Sequence, residues 1–150
     1  MPRRPESVLV VVYTDDGQVL LLQRRSPFEF WQSVTGSLDP GECPEEAARR
    51  ELAEETGLVA RDRLLDRKLS RTFVIDPRWR DRYAKGVTEN TEHEWHYRLA
   101  GVVDITLDAS EHKAFRWLPI DEAVETVWSW TNKEALSALR AELRRDGQTV

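Results

Sequence analysis

The sequence has one cysteine, Cys43, in 150 residues. No intramolecular disulfide can form, and the expectation is a cytoplasmic chain. Long apolar runs are also missing. The longest, Val8 to Tyr13, falls far short of the roughly 20 residues that cross a bilayer. The opening Met1-Pro2-Arg3-Arg4-Pro5-Glu6 lacks the long apolar core that a secretory leader places behind its charges. Basic charge is in deficit, with 22 Lys+Arg against 27 Asp+Glu and a net charge of −5. Non-specific nucleic-acid binding needs a basic footprint, so neither nucleic acid nor membrane is an expected partner. A small phosphorylated substrate stays open, provided a divalent cation mediates. No repeat, low-complexity stretch or Gly/Ser/Pro-rich linker divides the chain, so residues 1–150 are expected to form a single domain. Oligomeric state leaves no mark in the sequence. With 40% hydrophobic and 33% charged residues, the composition is that of a folded chain.

Strands are expected at Ser7 to Tyr13 and Gln18 to Arg24, joined through Asp16-Gly17, a pair that tolerates the positive φ of a hairpin turn. Phe73 to Ile75, Glu94 to Val103 and Ala114 to Leu118 read as further strands. One helix is expected from Pro44 to Thr56. Proline suits its first turn, Glu45 and Glu46 suit the positive end of its dipole, and Gly57 suits the position just after it. Asp121 to Val127 reads as a short helix. Asn132 to Arg145 reads as a longer one, with Leu136, Leu139 and Leu143 on one stripe. Strands and helices alternate without a βαβ rhythm, so a mixed sheet covered by helices is the expected packing.

On the first helix, Glu51, Glu54 and Glu55 stand at i, i+3 and i+4 and share a face. Like charges so placed repel by a few tenths of a kcal/mol per pair. A solvated acidic face is one reading. A set of hard oxygen ligands for Mg²⁺ or Mn²⁺ is the other. The wider spacing favours the second. Gly36, five residues, Glu42, seven residues, then Arg50-Glu51-Leu52-Ala53-Glu54-Glu55-Thr56-Gly57-Leu58 reads G-x5-E-x7-R-E-U-x-E-E-x-G-U, where U is aliphatic. Chance would produce this in about one chain of this length in ten million. The chain resembles the Nudix hydrolases, which cleave a nucleoside diphosphate joined to a further group. The resemblance implies the Nudix fold, an α/β (α+β) arrangement with a mixed sheet sandwiched between helices. It also implies that the loop, helix and following loop bind metal ions, with the Thr35 backbone adding a carbonyl. Arg50 is placed to pair with Glu42 and hold the loop against the helix.

Segments outside this box are similar to the bacterial dihydroneopterin triphosphate pyrophosphohydrolases of folate synthesis, also described as dATP pyrophosphohydrolases. They include Phe30-Trp31-Gln32-Ser33-Val34-Thr35, Arg82-Tyr83-Ala84-Lys85-Gly86, Asn90-Thr91-Glu92, Glu111-His112 and Trp128-Ser129. This likeness implies substrate contacts at Arg3, Arg24, Thr35 and Ser129, and a further metal-reaching carboxylate at Glu111. A triphosphate demands guanidinium or ammonium donors beyond what Mg²⁺ neutralises. Trp31 and Trp79, both expected in loops, are the tryptophans expected to stack on a flat ring, and the other four are expected mostly in the core. His93, His96 and His112 show no metal-ligand spacing with Cys43 and are read as structural or solvent-facing.

The expected reaction is displacement at phosphorus by water, with Glu51, Glu54, Glu55 and Glu111 as metal ligands and Glu51, Glu54 or Glu111 as the base. Two alternatives remain: a nucleotide-pool or dinucleoside-polyphosphate hydrolase, and a non-catalytic binding module of the same fold. The intact box glutamates argue against the module.

Overall fold

In the computed structural model, which describes residues 2–147, the valine-rich run becomes strand β1 (Glu6–Thr14) inside a seven-stranded mixed sheet. The other strands are β2 (Gln18–Arg24), β3 (Phe30–Gln32), β4 (Val34–Ser37), β5 (Leu64–Val74), β6 (Glu89–Leu99) and β7 (His112–Pro119). The main path runs β3-β2-β1-β6-β5, with β4 also on β1 and β7 also on β2. The pairing of β1 with β6 is parallel, and the other strand pairs are antiparallel. Helices α1 (Pro44–Thr56), α2 (Ile120–Thr126) and α3 (Trp130–Arg145) complete the fold, with a short 3-10 turn at Pro77–Arg82.

Residues 7 to 14 of β1 are all buried because both faces of the strand are covered. A strand covered on both sides carries a continuous apolar run in place of alternation. Val8, Val10 and Val12 meet Leu20, Leu22, Ala48 and Leu52 in the layer under α1. Leu9, Val11, Val19 and Leu21 meet Val124, Leu136, Leu139 and Leu143 under α2 and α3. The expected leucine stripe of the last helix therefore faces the sheet. The sheet lies between helices on both faces, as the Nudix resemblance implies. Among the described residues, no helix is long and apolar enough to cross a membrane.

Helix α1 has the bounds its end signals predict. Pro44 opens it, and the Glu46 carboxylate accepts a hydrogen bond of 2.9 Å from the Cys43 amide. Gly57 closes it at φ +78°, its amide donating to the Ala53 carbonyl at 2.9 Å. That left-handed conformation is costly for residues with a Cβ.

Other expectations need correction. Strands β3 and β4, of three and four residues, are too short to show a period. Of the strand expected at Phe73 to Ile75, Phe73 and Val74 end the eleven-residue β5 and Ile75 lies just beyond it. That strand is a sheet edge, so Asp66, Arg67, Lys68 and Arg71 do not disqualify it, and a bulge between Asp66 and Ser70 interrupts its register. The strand expected from Glu94 to Val103 starts at Glu89 and stops at Leu99. Val102 and Val103 lie exposed beyond it.

Leu52 is fully buried between the box glutamates of α1. Leu52→Ala should cost about 2–5 kcal/mol of folding stability, as large-to-small changes at closed sites do. Urea denaturation with and without divalent metal measures this loss.

Candidate active site

The site is organised by one guanidinium. Arg50 donates to both oxygens of Glu42, at 2.8 Å each, and to the Ser37 carbonyl at 3.0 Å. It also reaches Glu51 at 2.7 Å and Glu54 at 3.2 Å. The planar fork of arginine makes such bidentate contact possible. Glu42 in turn accepts from the Asp39 amide at 2.8 Å. The hydrogen bonds from Arg50 lead in holding the Glu42 carboxyl below its usual range. The loop before α1 is thus tied to the helix, as its sequence implies.

Gly36 on β4 faces this helix. A Cβ at that position would lie 2.2 to 2.6 Å from the carboxylate atoms of Glu51. The absence of a side chain there lets Glu51 lie against the β4 backbone. Glu55, one turn further on, is 1% exposed. Neither of its oxygens has a hydrogen-bond donor among the described residues. Burial, then the adjacent Glu51 and Glu111, push its carboxyl well above the ordinary range, with Arg24 opposing. Two carboxylates this close must share a proton or a cation. His112, 1% exposed, lies with Nε2 3.6 Å from Glu55. Burial and then the Arg24 charge lower its pKa to about 4, so it faces Glu55 as a neutral imidazole. The solvent-facing alternative for His112 is therefore excluded, and its structural alternative holds.

The other expected residues divide by position. Arg3, Arg24, Thr35, Glu51, Glu111 and Ser129 all line one cleft of about 680 Å³, a size ordinary for small-molecule sites. Arg3 is fixed by its amide, which donates to the Arg82 carbonyl at 2.8 Å. Arg24 lies at the end of β2, and burial lowers its pKa while the charge of Glu111 raises it. Arg82, which sequence reasoning did not single out, adds a third positive charge near Arg24. The Thr35 hydroxyl donates to the Val8 carbonyl at 2.8 Å. Ser129 caps α3, its hydroxyl accepting from the Asn132 amide at 3.2 Å. Glu54 stands apart, half exposed and turned to Arg50. Among the described residues no three acidic or imidazole groups converge as a closed metal cluster.

Of the two tryptophans expected to stack on a flat ring, Trp79 lines the cleft and Trp31 does not, whereas Trp128 and Trp130 do. Trp31 lies in β3, where alternation points Phe30 and Gln32 into the cleft and Trp31 toward the core under α2 and α3. Phe28, Phe30, Trp79 and Trp128 form a wall with ring centroids 4.7 to 5.9 Å apart. Of the four tryptophans expected mostly in the core, Trp95 is buried and Trp117 partly so, whereas Trp128 and Trp130 are exposed.

Residues 3–139 match the NUDIX domain. The chain belongs to the Nudix family. It is 43% identical over 138 residues to the dihydroneopterin triphosphate diphosphatase of Escherichia coli K12, covering 89% of this chain and 91% of that protein. It is 40% identical over 144 residues to the Haemophilus influenzae protein of the same name, covering 93% and 90%. The structure of the E. coli dihydroneopterin triphosphate pyrophosphohydrolase superposes with a TM-score of 0.86 at 39% identity, covering 92% of this chain and 96% of that one. The chain is therefore a Nudix pyrophosphohydrolase.

The Nudix helix and the Gly36 backbone make a testable pair. Gly36→Ala should leave metal-free stability within about 1 kcal/mol, because the clash is with a flexible carboxylate end. Its activity should fall by about 10²-fold, the scale of a 1 Å misplacement in a catalytic site. Thermal melting beside steady-state kinetics tests both parts.

Proposed function

We propose that this chain hydrolyses dihydroneopterin triphosphate to the monophosphate and pyrophosphate, with Mg²⁺ as its metal and Mn²⁺ as a substitute. Adenine nucleotides such as dATP are secondary substrates. One observation carries the reading. A single cleft is lined by carboxylates, arginines and aromatic rings, the groups that a polyphosphate joined to a flat ring calls for. The relatives named for the same substrate support it.

The residues fit a divalent cation. Glu55 presents two buried oxygens without donors, Glu51 lies beside it, and hard carboxylate oxygens are what Mg²⁺ takes. Glu51 and Glu55 would hold the metal, with Glu111 reaching it from across the cleft and Glu54 joining from the helix surface. When bound, the metal supplies charge neutralisation on the phosphates and a more acidic water. Arg3, Arg24 and Arg82 hold the remaining phosphate charge. The hydroxyls of Thr35 and Ser129 offer polar contacts along the chain between ring and phosphates. Glu111 is exposed at the cleft beside Arg24 and Glu55, which favours it over Glu54 as the acceptor of the proton from the attacking water.

Pyrophosphate release from dihydroneopterin triphosphate, dATP and the remaining nucleotides is the deciding assay. The first should give the highest kcat/KM, with monophosphate and pyrophosphate as products. Orthophosphate as product, or a dinucleoside polyphosphate as the better substrate, would overturn the reading. Glu51→Gln or Glu55→Gln should lower kcat by about 10²–10³-fold, the scale for losing a main electrostatic group. Arg24→Ala should cost about 1.5–3 kcal/mol of transition-state stabilisation, with only partial rescue by lysine.

A further inference from the structure

The cleft has a buried polar floor that the reaction does not use. Glu92 on β6 is 7% exposed, and its Oε1 has no hydrogen-bond partner among the described residues. The same holds for Nε2 of Gln32 on β3 and Oδ1 of Asn90 on β6. All three residues line the cleft together with Phe30, Trp79 and Trp128. Buried polar atoms in folded proteins are nearly always paired. Three orphans beside an aromatic wall therefore need an explanation, and a ring with matching polar edges supplies one.

The neighbouring acid on the same strand shows that burial alone does not leave a carboxylate bare. Glu94 is 3% exposed, yet it accepts from Arg71 at 2.7 Å and bonds His96 at 2.6 Å. Arg71 spends its other contact on Glu134 at 2.9 Å. Glu92 receives no such arginine contact. Burial raises its carboxyl to about 7, against smaller opposing effects of the Thr131 hydroxyl and Arg71.

We propose that Glu92 is a specificity-determining residue that reads the 2-amino-4-oxopyrimidine edge of the substrate's ring. That edge presents two adjacent N–H donors and then a carbonyl acceptor. Glu92 supplies two carboxylate acceptors, the Gln32 amide supplies the donor for the carbonyl, and the Asn90 carbonyl takes the outer amino hydrogen. Phe30, Trp79 and Trp128 pack against the ring. A 6-aminopurine places a lone pair where this edge has its ring N–H, and that lone pair faces an acceptor. Sites built to pair a polar edge reject analogues lacking it more strongly than apolar pockets do. The proposal rests on the substrate reading above and adds to it the group that recognises the ring.

The test compares Glu92→Gln with the parent chain on dihydroneopterin triphosphate and dATP. Glutamine keeps the shape and replaces one acceptor with a donor. The ratio of kcat/KM for the pterin over dATP should fall at least tenfold, carried by a rise in KM for the pterin more than by a fall in kcat. Pyrophosphate release by the parent chain is scored first. Its absence sinks the substrate reading, whereas intact release with an unchanged ratio in Glu92→Gln sinks the role of Glu92 alone. A second measurement needs no variant. Unphosphorylated dihydroneopterin, titrated by quenching of tryptophan emission, should bind at least fivefold more tightly at pH 8 than at pH 6. In that interval the Glu92 carboxyl loses its proton and becomes a double acceptor. The groups that act on it are Arg71 of β5, Glu94 of β6 and the Thr131 hydroxyl of α3, while β1 places Ser7 across from it. Affinity flat across this interval, or no quenching, overturns the proposal.

Discussion

The structure depends on how one arginine distributes its five N–H groups. Among the described ion pairs, Arg50 is the only cation that meets the carboxylates of Asp39, Glu42, Glu51 and Glu54. Without it, the loop carrying Asp39 and Glu42 would have no charged anchor on α1. On the helix, Glu51 and Glu54 would lose the cation that contacts them. A lysine could not replace it, since a point charge cannot grip both oxygens of Glu42 and still reach a backbone carbonyl. The box arginine is thus a structural residue whose effect is felt at the carboxylates of α1.

A second consequence is the division of labour among those carboxylates. Glu42 and Glu54 are satisfied by Arg50, whereas Glu55 is left buried and without donors. The same segment of sequence therefore produces both a neutralised hinge and a pair of oxygens short of positive charge. Repulsion between Glu51 and Glu55 costs the folded chain stability. Under the proposed function, a bound cation would offset that cost and so couple metal affinity to folding stability.

Much of this was readable before any coordinates. Helix α1 was legible because its ends are chemically marked by Pro44, Glu46 and Gly57, and the carboxylates because 3.6-residue periodicity fixes their face. The sheet core was legible from the unbroken run in β1. What escaped was whatever depends on partners distant in sequence. Phe30, Trp31 and Gln32 form too short a strand to reveal which side each residue takes, so Trp31 was placed in the wrong layer. Asn90, Glu92, Glu94 and His96 alternate with Thr91, His93, Trp95 and Tyr97, and such alternation reads as one wet face and one dry face. A signal was nevertheless present. A run as apolar as that of β1 needs cover on both sides, so its neighbour's polar face had to be buried as well. Polar residues there had to pair with each other or with a ligand.

The registers that put β6, β1 and β4 side by side have a further effect. Glu92 pairs across to Ser7, Ser7 pairs across to Ser37, and Gly36, against which Glu51 rests, is the next residue on β4. Glu92 and Ser37 thus share one face two rungs apart, about 10 Å at ordinary strand spacing, while Gly36, opposite Val8, turns to the α1 face. Sliding any of these strands by one residue would turn its side chains to the opposite face, so the gap cannot be retuned in small steps. The sheet acts as a fixed gauge. Under the proposed function, it would select molecules by the length of the bridge between ring and phosphate as well as by the identity of either end.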